Sequence, residues 1–229
     1  MNFRSSPAKH PADVAQMFDS VAPRYDRMNA LLSLGQEARW RRATTAALHV
    51  LPGERVLDLA AGTGTSSVPL LQAGAEVCSL DRSAGMVAVG HNRLPEVCYV
   101  VGDGEALPFA DGVFDAVTVS FGLRNMPHPV QVLRELARVT AVGGRLVVCE
   151  FSTPVPLWLR AVYYGWLRLV IPIESILSAN PASYVYLAQS ILDWPNQRIV
   201  ASWLHDAGWH DVEHRNLADG IVALHRGVR

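Results

Sequence analysis

The pattern of apolar and polar positions changes character twice along the chain. Between residues 55 and 151, short apolar runs alternate with segments of helical periodicity. The runs at 55–60, 76–80, 97–101, 113–119 and 145–151 read as strands, rich in Val, Leu and Phe. Helices are predicted at 65–72, at 83–92 with Ser83 as N-cap, and at 130–139. Gly143-Gly144 marks a turn before the fifth strand. Strand and helix units at this spacing imply a parallel sheet covered on both faces.

The flanks differ. Before residue 53 the pattern is helical, at 12–20 and 36–48, with a mixed segment at 24–34 between them and a Pro52-Gly53 stop. After residue 153 it predicts helices at 154–170, 181–192 and 197–207, then two short strands at 211–215 and 220–225. No repeat and no strong linker appears. The expected organisation is one domain, 1–229: a helical prelude 1–52, a cofactor-binding core 53–153, a helical insertion 154–207 and terminal strands 208–229.

The first strand carries the most informative chemistry. Arg55-Val-Leu-Asp-Leu-Ala-Ala-Gly-Thr-Gly64 is a strand running into a glycine turn and then a helix. That arrangement lets backbone N–H groups approach a ligand, and Gly62 and Gly64 lack the Cβ that would block it. A nicotinamide fingerprint would need a third glycine where Ser67 stands. The acid instead precedes the loop, at Asp58. An acid there suits a positively charged ligand, and S-adenosylmethionine carries a sulfonium and an ammonium. Further candidates lie at the following strand ends: Asp81, placed to accept both hydroxyls of a ribose; Asp103-Gly104, placed to read an adenine; and Ser120. Any one of these acids alone reads equally well as a helix or turn cap; four successive strand ends make a site.

Composition narrows the class. The 229 residues are half hydrophobic with a formal net charge of −1, so no basic field invites nucleic acid. Cys78, Cys98 and Cys149 form no metal or redox spacing and read as small core residues in a reducing compartment. The first residues contain no apolar secretory core, and Arg160, Arg168, Pro156 and Pro172 interrupt the most apolar stretch, 154–177, against a membrane span. His210 and His214 lie on a predicted strand, where four residues span about 13 Å, too far for one metal ion. No G-x-S-x-G elbow supports a hydrolase.

At this point the chain resembles a known family, the ubiquinone/menaquinone-biosynthesis C-methyltransferases. Tyr25-Asp-Arg-Met-Asn29 with Ser33 and Trp40 is similar to its first signature. Ser120-Phe-Gly-Leu-Arg-Asn125 is similar to the segment after its fourth strand. Arg138-Val139, Gly143-Gly144 and Glu150-Phe151-Ser152 resemble its second signature, residues 181–195 its substrate-side insertion and residues 220–227 its last strand. Two departures stand out: Glu37 where a histidine is usual, and Ala141-Val142 where Lys-Pro is usual.

The resemblance implies a class I S-adenosylmethionine-dependent methyltransferase (Rossmann-like) fold. That means a mostly parallel seven-stranded sheet with N-terminal helices and a helical insertion after strand 5. It implies S-adenosyl-L-methionine as cofactor, with Thr63, Asp81, Asp103, Gly104 and Ser120 as contacts beside Asp58, Gly62 and Gly64. The implied reaction is C-methylation of a prenylated quinol. Arg124 is the candidate to stabilise the quinol anion, with Asn125 and Tyr25 as orienting partners. A structural ion pair is the competing reading of Arg124. Lys9 is the only lysine, a bias that suits a GC-rich genome and tilts the substrate toward the naphthoquinol, demethylmenaquinol. The ubiquinone-pathway benzoquinol and a non-catalytic cofactor-binding scaffold are the alternatives. A cytoplasmic location, peripheral contact with the inner face of the cell membrane through the aromatic insertion, and a homodimer are expectations left to test.

Overall fold

The computed structural model describes the backbone of residues 35–177 and 181–229, and the side chains of residues 35–168 and 186–229. Tyr25, Ser33 and the predicted helix 12–20 lie outside the described residues. Seven strands form one sheet: β1 Arg55–Leu59, β2 Glu76–Asp81, β3 Cys98–Val101, β4 Phe114–Ser120, β5 Thr140–Phe151, β6 His210–Leu217 and β7 Val222–Val228. Among the described residues the helices are α1 Glu37–Leu48, α2 Ser67–Gln72, α3 Ala84–Arg93, α4 Pro129–Val139, α5 Leu157–Leu177, α6 Pro181–Leu192 and α7 Gln197–Asp206.

The strand order is β3-β2-β1-β4-β5-β7-β6, with only β7 antiparallel to its neighbours. The chain winds outward from β1 to β3 and then crosses back to β4 on the other side of β1. That reversal opens a crevice at the carboxyl ends of β1 and β4, the place where open α/β sheets bind ligands. The expected sheet is therefore present. Several boundaries differ from expectation, among them the helix 154–170, which runs Leu157–Leu177, and the last strand, Val222–Val228. β5 begins at Thr140, so Gly143-Gly144 lies inside the strand, at an irregularity where the pairing with β4 shifts register. A Cβ on Gly144 would come within 2.8 Å of the Asp115 carbonyl oxygen, which explains the glycine there.

Two apolar layers sandwich the sheet. On one face, Leu57, Leu59, Val117, Val119, Leu146 and Val148 meet Leu133 and Leu136 of α4 and Val200 and Leu204 of α7. On the other, Val56, Val77, Ala116, Val147 and Cys149 meet Trp40 and Leu48 of α1 and Leu70 of α2. Each buried Leu contributes about 1.5–3 kcal/mol relative to an exposed one. The edge strand β6 is mostly exposed and carries His210, Asp211, Glu213, His214 and Arg215, a charged edge that discourages pairing with other chains.

Candidate active site

The loop after β1 is built on left-handed backbone. Ala60, Gly62 and Gly64 have φ of 56°, 57° and 78°. Ala60 is the unexpected member, because a residue with a Cβ pays on the order of 1 kcal/mol for that conformation. Phe121, just past β4, is left-handed too, with φ of 57°. The two strained turns abut: a Cβ on Gly122 would lie 2.4 Å from the Ala60 Cβ. Gly64 is equally constrained, since its Cβ would lie 2.0 Å from the hydroxyl of Tyr99 on β3.

The loop is tied to β2. The Gly62 N–H donates to Asp81 Oδ2 at 2.9 Å, and the Ser83 N–H donates to Asp81 Oδ1 at 2.9 Å. The Gly64 N–H donates to the Ala61 carbonyl. The glycines therefore act through shape, and their N–H groups bond within the protein instead of facing a ligand.

Asp58 is fully buried. Its Oδ2 accepts from the hydroxyls of Ser66 and Ser67, both at 2.7 Å, while Oδ1 has no partner among the described residues. Burial pushes its carboxyl up to about 6, against the two serine hydrogen bonds. The neighbouring Tyr99 hydroxyl is buried and also lacks a partner among the described residues; burial and then Asp58 push it up to about 12.

Thr63 is buried in the loop, its hydroxyl 3.1 Å from that of Thr65. Asp103 lies at the rim, where Oδ2 pairs with Arg82 at 3.1 Å and Oδ1 accepts from the Glu105 N–H. Gly104 is buried against Leu59 and Met126. Ser120 lines a narrow crevice with Arg41, Thr44, Thr45, Ser66, Leu70 and Thr118. These groups fit S-adenosylmethionine: a buried carboxylate oxygen with no partner among the described residues for positive charge, and an acid on the tip of β2 for a ribose.

The second half of the site grows from the 3-10 turn Leu123–Asn125 after β4. Arg124 is 4% exposed and pairs with Glu150 of β5, itself 1% exposed, at 3.0 Å. Its Nη1 also donates to the Phe121 carbonyl, its backbone N–H donates to Glu150 Oε2, and the guanidinium lies 5.1 Å over the Phe151 ring. Asn125 Oδ1, Ser152 Oγ and Tyr186 Oη are buried without partners among the described residues. Tyr186 sits on α6, which packs on the 3-10 turn. Burial raises the Tyr163 and Tyr186 hydroxyls above the usual phenol range, and Arg124 opposes both shifts.

Glu150 is the residue to which the sequence assigned no role. Its signal was the one that marked Asp58: an acid near the carboxyl end of an apolar strand. Tyr99, Tyr163 and Tyr186 left no such signal, because a tyrosine in an apolar segment reads as packing. No cluster of three or more His, Cys, Asp or Glu suited to a metal ion occurs among the described residues.

The sequence profile described as the ubiE/COQ5 methyltransferase family matches residues 6–229. The chain belongs to that family. It is 57% identical over 219 residues to the demethylmenaquinone methyltransferase of Beutenbergia cavernae, covering 95% of this chain and 91% of that one. The Renibacterium salmoninarum enzyme of the same name is 53% identical over 227 residues, covering 99% and 96%. Among solved structures, the methyltransferase complexed with the Haloferax volcanii Trm112 activator aligns with a TM-score of 0.69 at 20% identity, covering 92% of this chain and 96% of that one. At that identity the likeness shows the fold, that of class I methyltransferases.

Proposed function

We propose that the protein transfers a methyl group from S-adenosylmethionine to a ring carbon of demethylmenaquinol, giving menaquinol. Family membership and the name of the relatives support the reaction. The observation that carries the substrate side is the buried Arg124–Glu150 pair, with the Asn125 and Tyr186 oxygens, which have no partner among the described residues, on its own turn and on the helix packed against it.

Asp58, Thr63, Asp81, Asp103, Gly104 and Ser120 would hold the cofactor, and Gly62 and Gly64 would shape its loop. When bound, it supplies an electrophilic methyl group on its sulfonium. The chain's own task is to make the quinol carbon nucleophilic. A quinol hydroxyl ionises near 10, like tyrosine, and bringing it to about 7 takes roughly 4 kcal/mol. Arg124 is suited to that task. Glu150 and the Phe121 carbonyl orient the guanidinium before the substrate arrives, so no reorganisation is needed as charge develops on the quinol oxygen. The Arg124–Glu150 pair is neutral as a whole, so it acts as an oriented dipole and not as a net charge. Glu150 already accepts from Arg124 and the Phe151 N–H, which fits an anchor better than a proton acceptor. Asn125, and Tyr25 beyond the described residues, would orient the quinol.

The face of α5 supports contact with a lipid surface. Trp158, Val162 and Trp166 repeat every four residues and are 69%, 61% and 44% exposed. The only charges between Glu150 and Glu174 are Arg160 and Arg168, which complements anionic headgroups. Arg160 donates twice to the Pro154 carbonyl and so holds the start of α5, leaving Arg168 as the headgroup partner. Among the described residues no helix is long and apolar enough to cross a membrane.

The test is methyl transfer from labelled cofactor to demethylmenaquinol and to the benzoquinol of the ubiquinone pathway, side by side. Transfer to the naphthoquinol is expected; transfer to neither overturns the reaction. In the same assay Arg124→Ala should lose turnover by about 10²–10³-fold with cofactor affinity near normal. Unchanged turnover would remove Arg124 from the mechanism.

A further inference from the structure

Helix α1 lies across the face of the sheet that carries Asp58, with Trp40 and Leu48 buried beneath it. Its polar residues Arg41, Thr44 and Thr45 form one wall of the narrow crevice; Ser66 and Leu70 at α2, and Thr118 and Ser120 on β4, form the rest. The crevice is narrow, and a ligand whose bulk lies over the strand tips would present only one end to it.

Among the described residues, Arg41 is the one charged member of that lining. The Thr44 and Thr45 hydroxyls donate back to the carbonyls of Trp40 and Arg41, so they present acceptors to the crevice and leave the cationic donors to Arg41. Arg41 pairs with Glu37, one turn earlier, through Nη2 alone. The side chains of the pair are only 16% and 11% exposed. Burying an ion pair that far costs about as much desolvation as the attraction returns, so stability alone is a weak reason for it. The fixed guanidinium keeps Nε and Nη1 for a second, bidentate anion. Ser66 of the lining donates to Asp58 Oδ2 at 2.7 Å; Asp58 senses Arg41 electrostatically, and its Oδ1 has no partner among the described residues. A cation in the lining and a carboxylate held just behind it by Ser66 complement a zwitterionic amino acid.

We propose that Arg41, held by Glu37, receives the α-carboxylate at the methionyl end of S-adenosylmethionine. The proposal rests on the cofactor reading above. It gives the glutamate that replaces the usual histidine a definite task, orienting the arginine one turn away. Arg41 is thus a binding residue and Glu37 a positioning residue.

Calorimetric titration with two ligands tests it. S-adenosylhomocysteine carries the amino-acid end; 5′-methylthioadenosine keeps the nucleoside and lacks that end. Arg41→Gln should weaken S-adenosylhomocysteine about 10–100-fold, the range of lost hydrogen bonds to a charged group, and leave 5′-methylthioadenosine unchanged. Retained binding of the second ligand also reports an intact fold. Arg41→Lys should recover only part of the loss, because an ammonium cannot bind a carboxylate bidentately. Glu37→Gln should weaken S-adenosylhomocysteine alone, by less than Arg41→Gln. Unchanged S-adenosylhomocysteine affinity in Arg41→Gln overturns the proposal, and so does an equal loss for both ligands, which marks a structural pair. Wild-type protein that binds neither ligand overturns the proposal together with the cofactor reading.

Discussion

Asp58 shows how a single residue can work against the stability of the fold that carries it. Its carboxyl is fully buried, with hydroxyl donors on one oxygen and none on the other. Burial raises it from 3.8 to about 6. A raised acid binds protons more readily in the folded state, so its contribution falls as pH rises through that window and is unfavourable at neutral pH, by about 3 kcal/mol. Asp58→Asn should therefore raise the melting temperature at pH 7.5, with the gain fading toward pH 4, while weakening S-adenosylhomocysteine binding. A lower melting temperature at pH 7.5 would show that the charge is a net stabiliser. The value of this residue was legible in the sequence as an acid in an apolar strand. The strain at Ala60 was not, because alanine gives no sign of left-handed backbone until the opposing turn at Phe121-Gly122 is in place.

Helix α5 illustrates what an element shows only when its neighbours are known. The sequence marks it as apolar and aromatic throughout. Packing then separates it: Leu167 is buried beside Ala188 and Ile191 of α6, while Leu157, Trp158 and Val162 face outward. An outward apolar face with a cationic flank should bind anionic vesicles. Replacing Trp158 and Trp166 with serine removes two side chains worth about 1.5–3 kcal/mol each when fully buried. Sedimentation with such vesicles should show at least a tenfold weaker partition, with cofactor binding intact. Unchanged partitioning would remove α5 from any membrane contact. The 3-10 turn Leu123–Asn125 is a second case: its residues were singled out by resemblance, but the partner Glu150 is 26 positions away and meets Arg124 only because β4 and β5 pair.

Across the whole molecule, the acid response is set by opposing buried groups. His225 on β7 is 1% exposed; its Nε2 lies 2.9 Å from the Gln197 carbonyl and Nδ1 has no partner among the described residues. Burial lowers it to about 4, with His214 adding to the effect. A lowered histidine stays neutral in the fold while the unfolded chain takes up a proton. Its stabilisation is complete above about 6.5 and is lost as pH falls toward 4, by about 3 kcal/mol. Asp58 changes in the opposite sense between about 6 and 3.8, so the two largely cancel there. Urea melts should show a shallow pH profile for the wild type and a steeper acid loss for Asp58→Asn. His225→Gln should be less sensitive to acid than the wild type. Parallel profiles for all three proteins would refute this balance.

The amino-acid sequence by itself determined the alternation of strands and helices, the strand-tip acids and the resemblance to a methyltransferase family. All of these follow from local periodicity and short motifs, which need no knowledge of what packs where. Tertiary structure decided which oxygens and nitrogens go unpaired. It set Arg124 against Glu150, tied Gly62 to Asp81 and brought Arg41 of the first described helix to the crevice lined by Ser66 and Ser120. Those contacts join positions distant in sequence. Their energetics depend on desolvation, which exists only once the sheet and its helices have closed around them.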